Sequence, residues 1–238
     1  MIELSPKTPL APIEKRTLII AMTERSGSTN LCSVLSKLGP LGAPEEYFNP
    51  DGLMARVPDE LGAVDASDYL QKLADRAEIF CFKISVSHWK PFRNRAKTIF
   101  PNARYVFLDR LDLEAQAISL YRARASWVWH RRTDWDAQPH QDGDFDPVAL
   151  EACRTHLLIG KEKWAEFFFV NDIKPLNIMY EHMLADMPKA VQMICGEAGM
   201  LVFKSDVPGG EYKILRDALT DTWKERLEAL RTGGASAK

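Results

Sequence analysis

Near its N-terminus the chain carries a strand-like segment, a turn of small residues and a helix-like segment in immediate succession. Thr17–Met22 is short, apolar and bounded by polar residues, which predicts a buried strand. Apolar residues recur at helical spacing through Ser28–Leu38 and stop before Gly39 and Pro40, which predicts a helix that ends there. The turn between them, residues 23–27, would present backbone N–H groups at a helix N-terminus. Such a turn favours an anion-binding site in an α/β fold.

This turn differs from the Walker loop of ATP-binding proteins. The pattern G-x-x-x-x-G-K-[ST] is absent, and the cation of the turn is Arg25, which precedes Gly27. Backbone N–H groups and hydroxyls of Ser26, Ser28 and Thr29 could hold a phosphate, with the Arg25 guanidinium as a forked donor. The turn therefore predicts a site for an anion other than the triphosphate of ATP. The alternative is a serine-rich N-cap that only stabilises the helix.

Composition and charge narrow the class of protein. The chain has 238 residues, of which 46% are apolar, and this predicts a single α/β domain with a sizeable core. A net charge of −2 gives no general attraction to nucleic acid or acidic membranes, so an anionic ligand must meet a local cluster of cations. We expect residues 1–16 to be an irregular N-terminal extension, 17–231 the domain and 232–238 a flexible tail.

Cysteine usage and the lack of long apolar runs indicate a cytoplasmic protein. Cys32, Cys81, Cys153 and Cys195 are scattered and form no C-x-x-C pair, which predicts reduced, buried thiols. No apolar run approaches the roughly 18 residues that span a bilayer. The segment Met1–Arg16 contains three prolines and lacks the apolar core of a signal peptide.

Strand-like and helix-like segments alternate along the chain. This alternation predicts a three-layer α/β fold with a mostly parallel sheet, in which ligands bind beyond the carboxyl ends of the strands. Residues 40–66 and 131–147 are irregular, and the second stretch, rich in Asp, Pro, Gly and His, is expected to be a mobile surface loop. The further strands are predicted at Ile79–Val86, Arg104–Leu108 and Leu176–Tyr180, and the further helices at Ser67–Ala77, Leu113–Val128, Val148–Asn171, Met183–Ala198 and Leu215–Leu230.

A second anion site is predicted after the strand at Arg104–Leu108. Arg110 stands at the end of that strand, Asp112 is placed to cap the next helix, and Ser119 falls two turns into it. An anionic group could be held between Arg110 and Ser119. The alternative is that Arg110 pairs with a nearby carboxylate and Ser119 only packs.

A pair of carboxylates, Glu45 and Glu46, lies in the proline-bracketed segment Pro44–Pro50. A carboxylate near an anion-binding loop suits a general base that takes a proton from an attacking hydroxyl. Since adjacent side chains of an extended chain point in opposite directions, we expect at most one of the two to face a given cleft. The alternative is a solvated acidic turn.

Taken together, these segments resemble the Stf0-type sulfotransferases, whose best-known members sulfate trehalose. The resemblance runs from about residue 17 to about residue 230 and rests on the ordered set of motifs. In chain order, these are Arg25-Ser26-Gly27-Ser28-Thr29, Pro44-Glu45-Glu46-Tyr47-Phe48, Lys83, Arg110, Gln116-Ala117 with Ser119, Trp127-Val128-Trp129, Tyr180-Glu181 and Trp223.

The resemblance implies a fold similar to that of P-loop kinases, and PAPS (3'-phosphoadenosine 5'-phosphosulfate) as the sulfuryl donor. It implies that Arg25–Thr29 hold the 5'-phosphosulfate and that Arg110 and Ser119 hold the 3'-phosphate. Glu46 matches the position of the catalytic base, and Arg25 would stabilise the leaving phosphate. Such in-line transfer requires no metal. The candidate acceptor-binding residues are Glu45, Tyr47, Phe48, Lys83 and Trp89.

Two departures from the family pattern affect the predicted site. Glu24 stands before Arg25 where the family usually has a neutral polar residue, and its carboxylate would repel a phosphosulfate unless it turns away or pairs with a cation. The R-Q-A-D-like run of the family is replaced near the C-terminus, where Lys213 or Arg216 would have to close over the donor. His88 is an alternative base to Glu46, because many other sulfotransferases use a histidine.

We therefore expect a PAPS-dependent sulfotransferase that acts on a hydroxyl of a small-molecule carbohydrate or glycolipid. We expect it to bind no nucleic acid and to form a homodimer, as is typical of the family. One alternative is a nucleotide-dependent phosphotransferase, which the missing Walker lysine disfavours. The other is a non-catalytic module that binds PAPS or a sulfated glycan.

Overall fold

The computed structural model describes residues 2–127, 129, 142–210 and 217–233. Within these ranges the strands form one sheet in which every strand pair is parallel, in the order β2-β1-β3-β4. Met22 at the end of β1 lies opposite Ser85 of β2 and Leu108 of β3, so the carboxyl ends of these strands meet at one edge. The strands are β1 (Thr17–Met22), β2 (Phe80–Ser85), β3 (Ala103–Asp109) and β4 (Leu176–Met179).

Helices cover both faces of this sheet. They are α1 (Ser28–Ser36), α2 (Val57–Glu60), α3 (Ala66–Asp75), α4 (Ala96–Ile99), α5 (Leu113–Ser126), α6 (Pro147–Val170), α7 (Tyr180–Ala185), α8 (Met187–Glu197) and α9 (Ala218–Gly233), with short 3-10 turns at Leu53–Ala55, Asp142–Asp144 and Lys204–Asp206. None of the helices in the described residues is both long and apolar enough to cross a lipid bilayer.

The central strand β1 is buried along its whole length and divides the core in two. Ile19 and Ala21 face an aromatic-rich cluster under α3, α4 and α6, whereas Leu18, Ile20 and Met22 face a cluster under α1 and α8. Successive side chains of a strand point to opposite faces, so the apolar run of β1 supplies both cores. The predicted three-layer α/β fold with a parallel sheet is confirmed.

The predicted helix Met183–Ala198 is wrong, because two helices occupy this region. The helix α7 ends at Ala185, and α8 begins after Asp186, whose carboxylate accepts the N–H of Lys189 at 2.9 Å. Pro188 lies in the first turn of α8, where its missing N–H is tolerated, whereas it would interrupt a continuous helix. The strand predicted to reach Tyr180 also ends one residue earlier, and Tyr180 opens α7.

Two other predictions need adjustment. The segment 40–66 contains a 3-10 turn and the short helix α2, which are too short to show a period in the sequence. The predicted start of the last helix at Leu215 lies outside the described residues, and α9 is described from Ala218.

The N-terminal segment 2–16 contains no helix or strand, yet it is attached to the core. Ile13 is buried in the aromatic-rich cluster. Lys15 donates to the carbonyls of Ala74 and Ala77 after α3 at 2.8 Å each, and Arg95 donates to the carbonyl of Thr8 at 2.7 Å. These contacts attach the extension to residues at the end of α3 and to Arg95, which precedes α4.

Candidate active site

The turn between β1 and α1, residues 23–27, is called here the Arg25 loop. Arg25 and Gly27 both have left-handed backbone conformations, with φ of 62° and 82°. Gly27 is the N-cap of α1 and no side chain caps the helix, so the serine-rich N-cap alternative is wrong. Ser26 is fully buried, and within the described residues its hydroxyl has no hydrogen-bond partner. The loop therefore offers a buried hydroxyl beside an uncapped helix N-terminus, which favours an anion.

Two long helices hold the Arg25 loop in place. From α5, the Gln116 amide donates to the hydroxyl of Thr23 at 2.9 Å and to the carbonyl of Glu24 at 2.7 Å. From α6, the indole N–H of Trp164 donates to the carbonyl of Met22 at 3.0 Å. Gly160 allows α6 to approach closely, since a Cβ there would lie 3.3 Å from the Thr23 methyl group. The loop is thus fixed by contacts distant in sequence.

The Arg25 side chain connects the two predicted anion sites. Its Nε donates to the Ser119 hydroxyl at 2.9 Å, and its Nη1 donates to the Trp129 carbonyl. Burial, together with the charges of Arg110 and Arg122, lowers the pKa of Arg25 to about 10. Neighbouring cations that lower the pKa of Arg25 in this way create a local positive potential, which an anionic ligand would relieve.

Arg110 contacts the backbone of the Arg25 loop, since its Nη1 donates to the Arg25 carbonyl at 3.3 Å. Its guanidinium carbon lies 4.6 Å from the centre of the Tyr180 ring, an arrangement that supports a cation–π contact. The same Tyr180 ring packs against Gly27, where a Cβ would come within 2.6 Å of Cδ2. Tyr180 therefore sets the spacing between Arg110 and the Arg25 loop.

The end of β3 is held by two charged residues that sequence reasoning did not single out for this role. Lys161 on α6 donates to the carbonyl of Arg110 at 2.7 Å and pairs with Asp109 at 2.6 Å. The carboxylate of Glu181 accepts the N–H groups of Leu111 and Asp112 at 3.0 and 3.1 Å. Arg110 is therefore placed by contacts from α6 and α7.

A buried ammonium lies between the first turn of α1 and the predicted base. Lys83 on β2 is only 2% exposed, and its Nζ donates to the Thr29 hydroxyl at 3.0 Å. The same Nζ lies 3.7 Å from Glu46 Oε1 and 3.9 Å from Glu45 Oε2. The expectation that at most one of these carboxylates faces a given cleft is therefore wrong. The chain turns at Glu46, whose carbonyl accepts the N–H of Asn49 at 3.1 Å, so extended alternation does not apply.

The two carboxylates differ in their surroundings. The side chain of Glu46 is 27% exposed and that of Glu45 is 48% exposed. Burial raises the pKa of Glu45; Lys83 opposes this rise and the charge of Glu46 adds to it. Both carboxylates lie beside the same Lys83 ammonium, so by position either residue is eligible as a base.

His88, the alternative base, lies near the same carboxylates. Its Nδ1 is 3.2 Å from the Ser85 hydroxyl at the end of β2. Burial lowers the pKa of His88, and the negative charges of Glu46, Glu24 and Asp51 partly oppose that decrease. A neutral imidazole is the form that accepts a proton, so the structure leaves His88 chemically able to act.

The charge of Glu24 is directed toward α6. Its Oε1 lies 3.2 Å from Nε2 of His156. Burial alone would raise the pKa of Glu24, but hydrogen bonds from His156 and its own N–H, with the charges of His156 and Arg124, outweigh burial and lower it. The carboxylate is thus turned away and paired, the condition under which it would not repel an anion.

Three predicted acceptor-binding residues lie in the core. Trp89 is 1% exposed, and its ring centre lies 5.3 Å from those of Phe92 and Phe167 in the aromatic-rich cluster. Phe48 packs in the same cluster, and Tyr47 is buried with its hydroxyl donating to the Ala43 carbonyl at 2.6 Å. These rings support the segment that carries Glu45 and Glu46. Of the predicted acceptor-binding residues, Glu45 and Lys83 lie at the site itself.

Some predicted features lie outside the described residues, among them Lys213, Arg216 and residues 131–141 of the predicted surface loop. Of the basic residues after Ser119, Arg122 forms a two-pronged pair with Asp217 at 2.7 and 2.8 Å. Across the described ranges, the structure groups no three His, Cys, Asp or Glu side chains in a way that could hold a metal ion.

Comparisons with known proteins identify the family of the chain. The Stf0 sulphotransferase family model matches residues 87–229, more than half of the chain. The trehalose 2-sulfotransferase of Mycolicibacterium smegmatis is 22% identical over 253 residues, covering 87% of this chain and 92% of that protein.

Solved sulfotransferases share the fold. A sulfotransferase from Alicyclobacillus acidocaldarius superimposes with a TM-score of 0.51 at 16% identity, covering 92% of this chain and 96% of that one. The sulfotransferase domain from the curacin biosynthetic pathway gives 0.55 at 11% identity, with 92% and 99% covered. The chain therefore belongs to the Stf0 sulfotransferase family, and it is a sulfotransferase by family and by fold.

Proposed function

We propose that this sulfotransferase moves a sulfuryl group from PAPS to a hydroxyl of a carbohydrate or glycolipid, with Glu46 as the general base. The observation that carries the proposal is the buried Lys83 ammonium, which contacts Thr29 of α1 and lies 3.7 Å from Glu46. It connects the anion-binding loop to a carboxylate that could take the proton of an acceptor.

The residues around the Arg25 loop fit a donor with two separate anionic groups. The uncapped start of α1, the buried Ser26 hydroxyl and the Arg25 guanidinium suit the phosphosulfate. Arg110 and Ser119 suit the 3'-phosphate. The hydrogen bond of 2.9 Å between Arg25 and Ser119 brings the two groups of residues into contact, as a nucleotide bearing two nearby anions would require.

In the proposed reaction, Glu46 takes the proton of the acceptor hydroxyl as the new oxygen–sulfur bond forms. The bond between sulfur and the bridging phosphate oxygen breaks, and adenosine 3',5'-bisphosphate leaves with the negative charge. Arg25, Lys83 and the N–H groups of α1 would stabilise that charge, the main task of a protein in this kind of transfer.

Two observations support a carbohydrate acceptor. The relative from Mycolicibacterium smegmatis, named for trehalose, aligns over 87% of this chain. At the end of α5 the side chain of Trp127 is 82% exposed, two residues before Trp129, whose carbonyl accepts from Arg25. An exposed indole beside the donor site offers a flat surface for stacking on a sugar ring.

Donor binding is tested with adenosine 3',5'-bisphosphate in isothermal calorimetry without Mg²⁺. We expect binding by the unaltered protein and a roughly 10- to 100-fold loss in R110A, because a buried charged donor is removed. R56A is the matched control, since Arg56 forms only an exposed pair with Glu60. Stronger binding of Mg-ATP than of the bisphosphate would replace the proposal with a phosphotransferase.

The base is tested by transfer of labelled sulfate from PAPS to a panel of sugars and glycolipids. E46Q should keep bisphosphate affinity and lose about 10²- to 10⁴-fold in transfer rate. E45Q and H88N are the matched comparisons, because both residues lie near Lys83 or Glu46. Full activity of E46Q with loss in H88N or E45Q would move the base to that residue, and binding without transfer to any acceptor would indicate a non-catalytic module.

A further inference from the structure

Three residues on one face of α6, together with the neighbouring Lys161, contact or closely approach the ends of β1 and β3 and the Arg25 loop. His156, Gly160 and Trp164 are spaced by four residues and therefore share a helix face, with Lys161 beside them. Gly160 and Trp164 approach the end of β1, and Lys161 holds the end of β3. His156 is the member of this group that touches a charge on the loop itself, the Glu24 carboxylate at 3.2 Å.

Glu24 stands next to the cation of the loop, and its carboxylate needs a partner there. The backbone carbonyl of Glu24 is fixed by Gln116 at 2.7 Å, so the residue cannot move away without breaking the loop contact. The charges of Arg110 and Arg122 act on Arg25, and an unpaired carboxylate beside these cations would weaken their attraction for an anion.

We infer that His156 is a positioning residue for donor binding: in its charged form it holds the Glu24 carboxylate toward α6 and neutralises it. This inference rests on the proposed use of PAPS. The other charged or titratable groups that face this pair are Arg124, whose charge also acts on Glu24, together with Cys153 beside Arg124 and His88, which Glu24 influences.

The direction of the expected effect follows from the signs of the charges. A partner that holds the Glu24 carboxylate toward α6 lets the cations of the loop act on the donor, whereas a carboxylate without that partner opposes them. The side chains of His156 and Glu24 are 41% and 27% exposed, and solvent screening keeps the effect modest.

The test measures the affinity for adenosine 3',5'-bisphosphate in the unaltered protein, E24Q, H156Q, H156K and the double variant that carries both E24Q and H156Q. We expect H156Q to bind roughly two- to fivefold more weakly than the unaltered protein, because the Glu24 carboxylate loses its partner on α6. In the double variant the loop carboxylate is gone, so its affinity should equal that of E24Q.

H156K distinguishes a charge effect from a packing effect, because lysine is positively charged at neutral pH. We expect it to bind the bisphosphate as tightly as the unaltered protein does. An H156Q that binds like the unaltered protein, an equal loss from H156Q with and without E24Q, or an H156K that behaves like H156Q would overturn the inference. If none of the five proteins, each verified as folded by its thermal transition, binds the bisphosphate, the proposed function fails and this inference with it.

Discussion

Gly27 is restricted both by its left-handed backbone and by the Tyr180 ring that packs against it. Its φ of 82° is left-handed, and a Cβ would lie 2.6 Å from Cδ2 of Tyr180. The same ring lies 4.6 Å from the guanidinium carbon of Arg110. Any side chain at position 27 must therefore push on the ring that positions Arg110.

Replacing Gly27 with alanine should lower both stability and affinity for the bisphosphate. Gly39 offers a matched control, because its φ is 84° and a Cβ there would meet no atom within 4 Å. We expect G39A to lower the free energy of unfolding by about 1 to 2 kcal/mol from backbone strain alone. G27A should lose about 1 to 3 kcal/mol more through the collision. Urea denaturation measures the free energy of unfolding of G27A and G39A. Equal losses of that free energy in the two variants would contradict the proposed collision with Tyr180.

Among the elements, α5 depends on a cap that also reaches the last helix. Asp112 accepts the N–H of Ala115 at 3.0 Å and the ammonium of Lys224 on α9 at 2.9 Å. Burial would raise the pKa of Asp112, but these hydrogen bonds and the charges of Lys224 and Arg110 outweigh it and lower the pKa. Because α5 carries Gln116 and Ser119, this cap supports the side chains that hold the Arg25 loop.

The lowered pKa of Asp112 predicts how stability changes with acid. A depressed pKa in the folded state gives stability that is present above the unfolded value, near 3.9, and is lost as the pH falls through the folded value. D112N keeps a capping side chain and loses the ionised partner of Lys224, whereas D112A loses the cap as well and about 1 kcal/mol more. In urea denaturation, the difference between the unaltered protein and D112N should shrink from neutral to acid pH. A difference that stays constant would refute this role.

The long elements were predictable and their mutual contacts were not. Strand β1 is a short, continuous apolar run, and the 24-residue α6 buries residues at helical spacing. Arg25, Arg110, Ser119 and Glu46 stand in motifs that the family resemblance marks. The hydrogen bonds that hold the site, in contrast, join residues far apart in sequence, such as Lys161 and Arg110. A local pattern does not encode which polar group a long side chain will meet. The break at Asp186 was missed for a different reason, since the apolar spacing continues across Pro188.

For the molecule as a whole, the four cysteines provide a probe of cooperative unfolding. Cys32, Cys81, Cys153 and Cys195 are free and buried, as the sequence predicted, and they lie on α1, β2, α6 and α8. Burial raises the pKa of Cys32 to about 12 and that of Cys195 to about 11. Thiols with raised pKa values form little of the reactive thiolate.

Ellman's reagent should therefore find no fast-reacting thiol in the native protein. Three of the cysteines belong to the cluster under α1 and α8, and Cys153 packs between α5 and α6. We expect all four thiols to react together once urea unfolds the chain, since the domain should unfold cooperatively. Absorbance at the reagent's product band follows the reaction. Rapid labelling of a single cysteine in native buffer would show that its part of the core opens independently.

The parallel sheet has a consequence for the timing of synthesis. Parallel strands are joined by crossovers, so the Arg25 loop is made long before Gln116, Lys161 and Tyr180, which define its surroundings. A nascent chain that has reached only β2 thus contains the Arg25 loop and none of those supports. Binding of the proposed donor therefore becomes possible only after α7 has left the ribosome. Truncated chains that stop earlier should behave as incompletely folded proteins and not as weakly active enzymes.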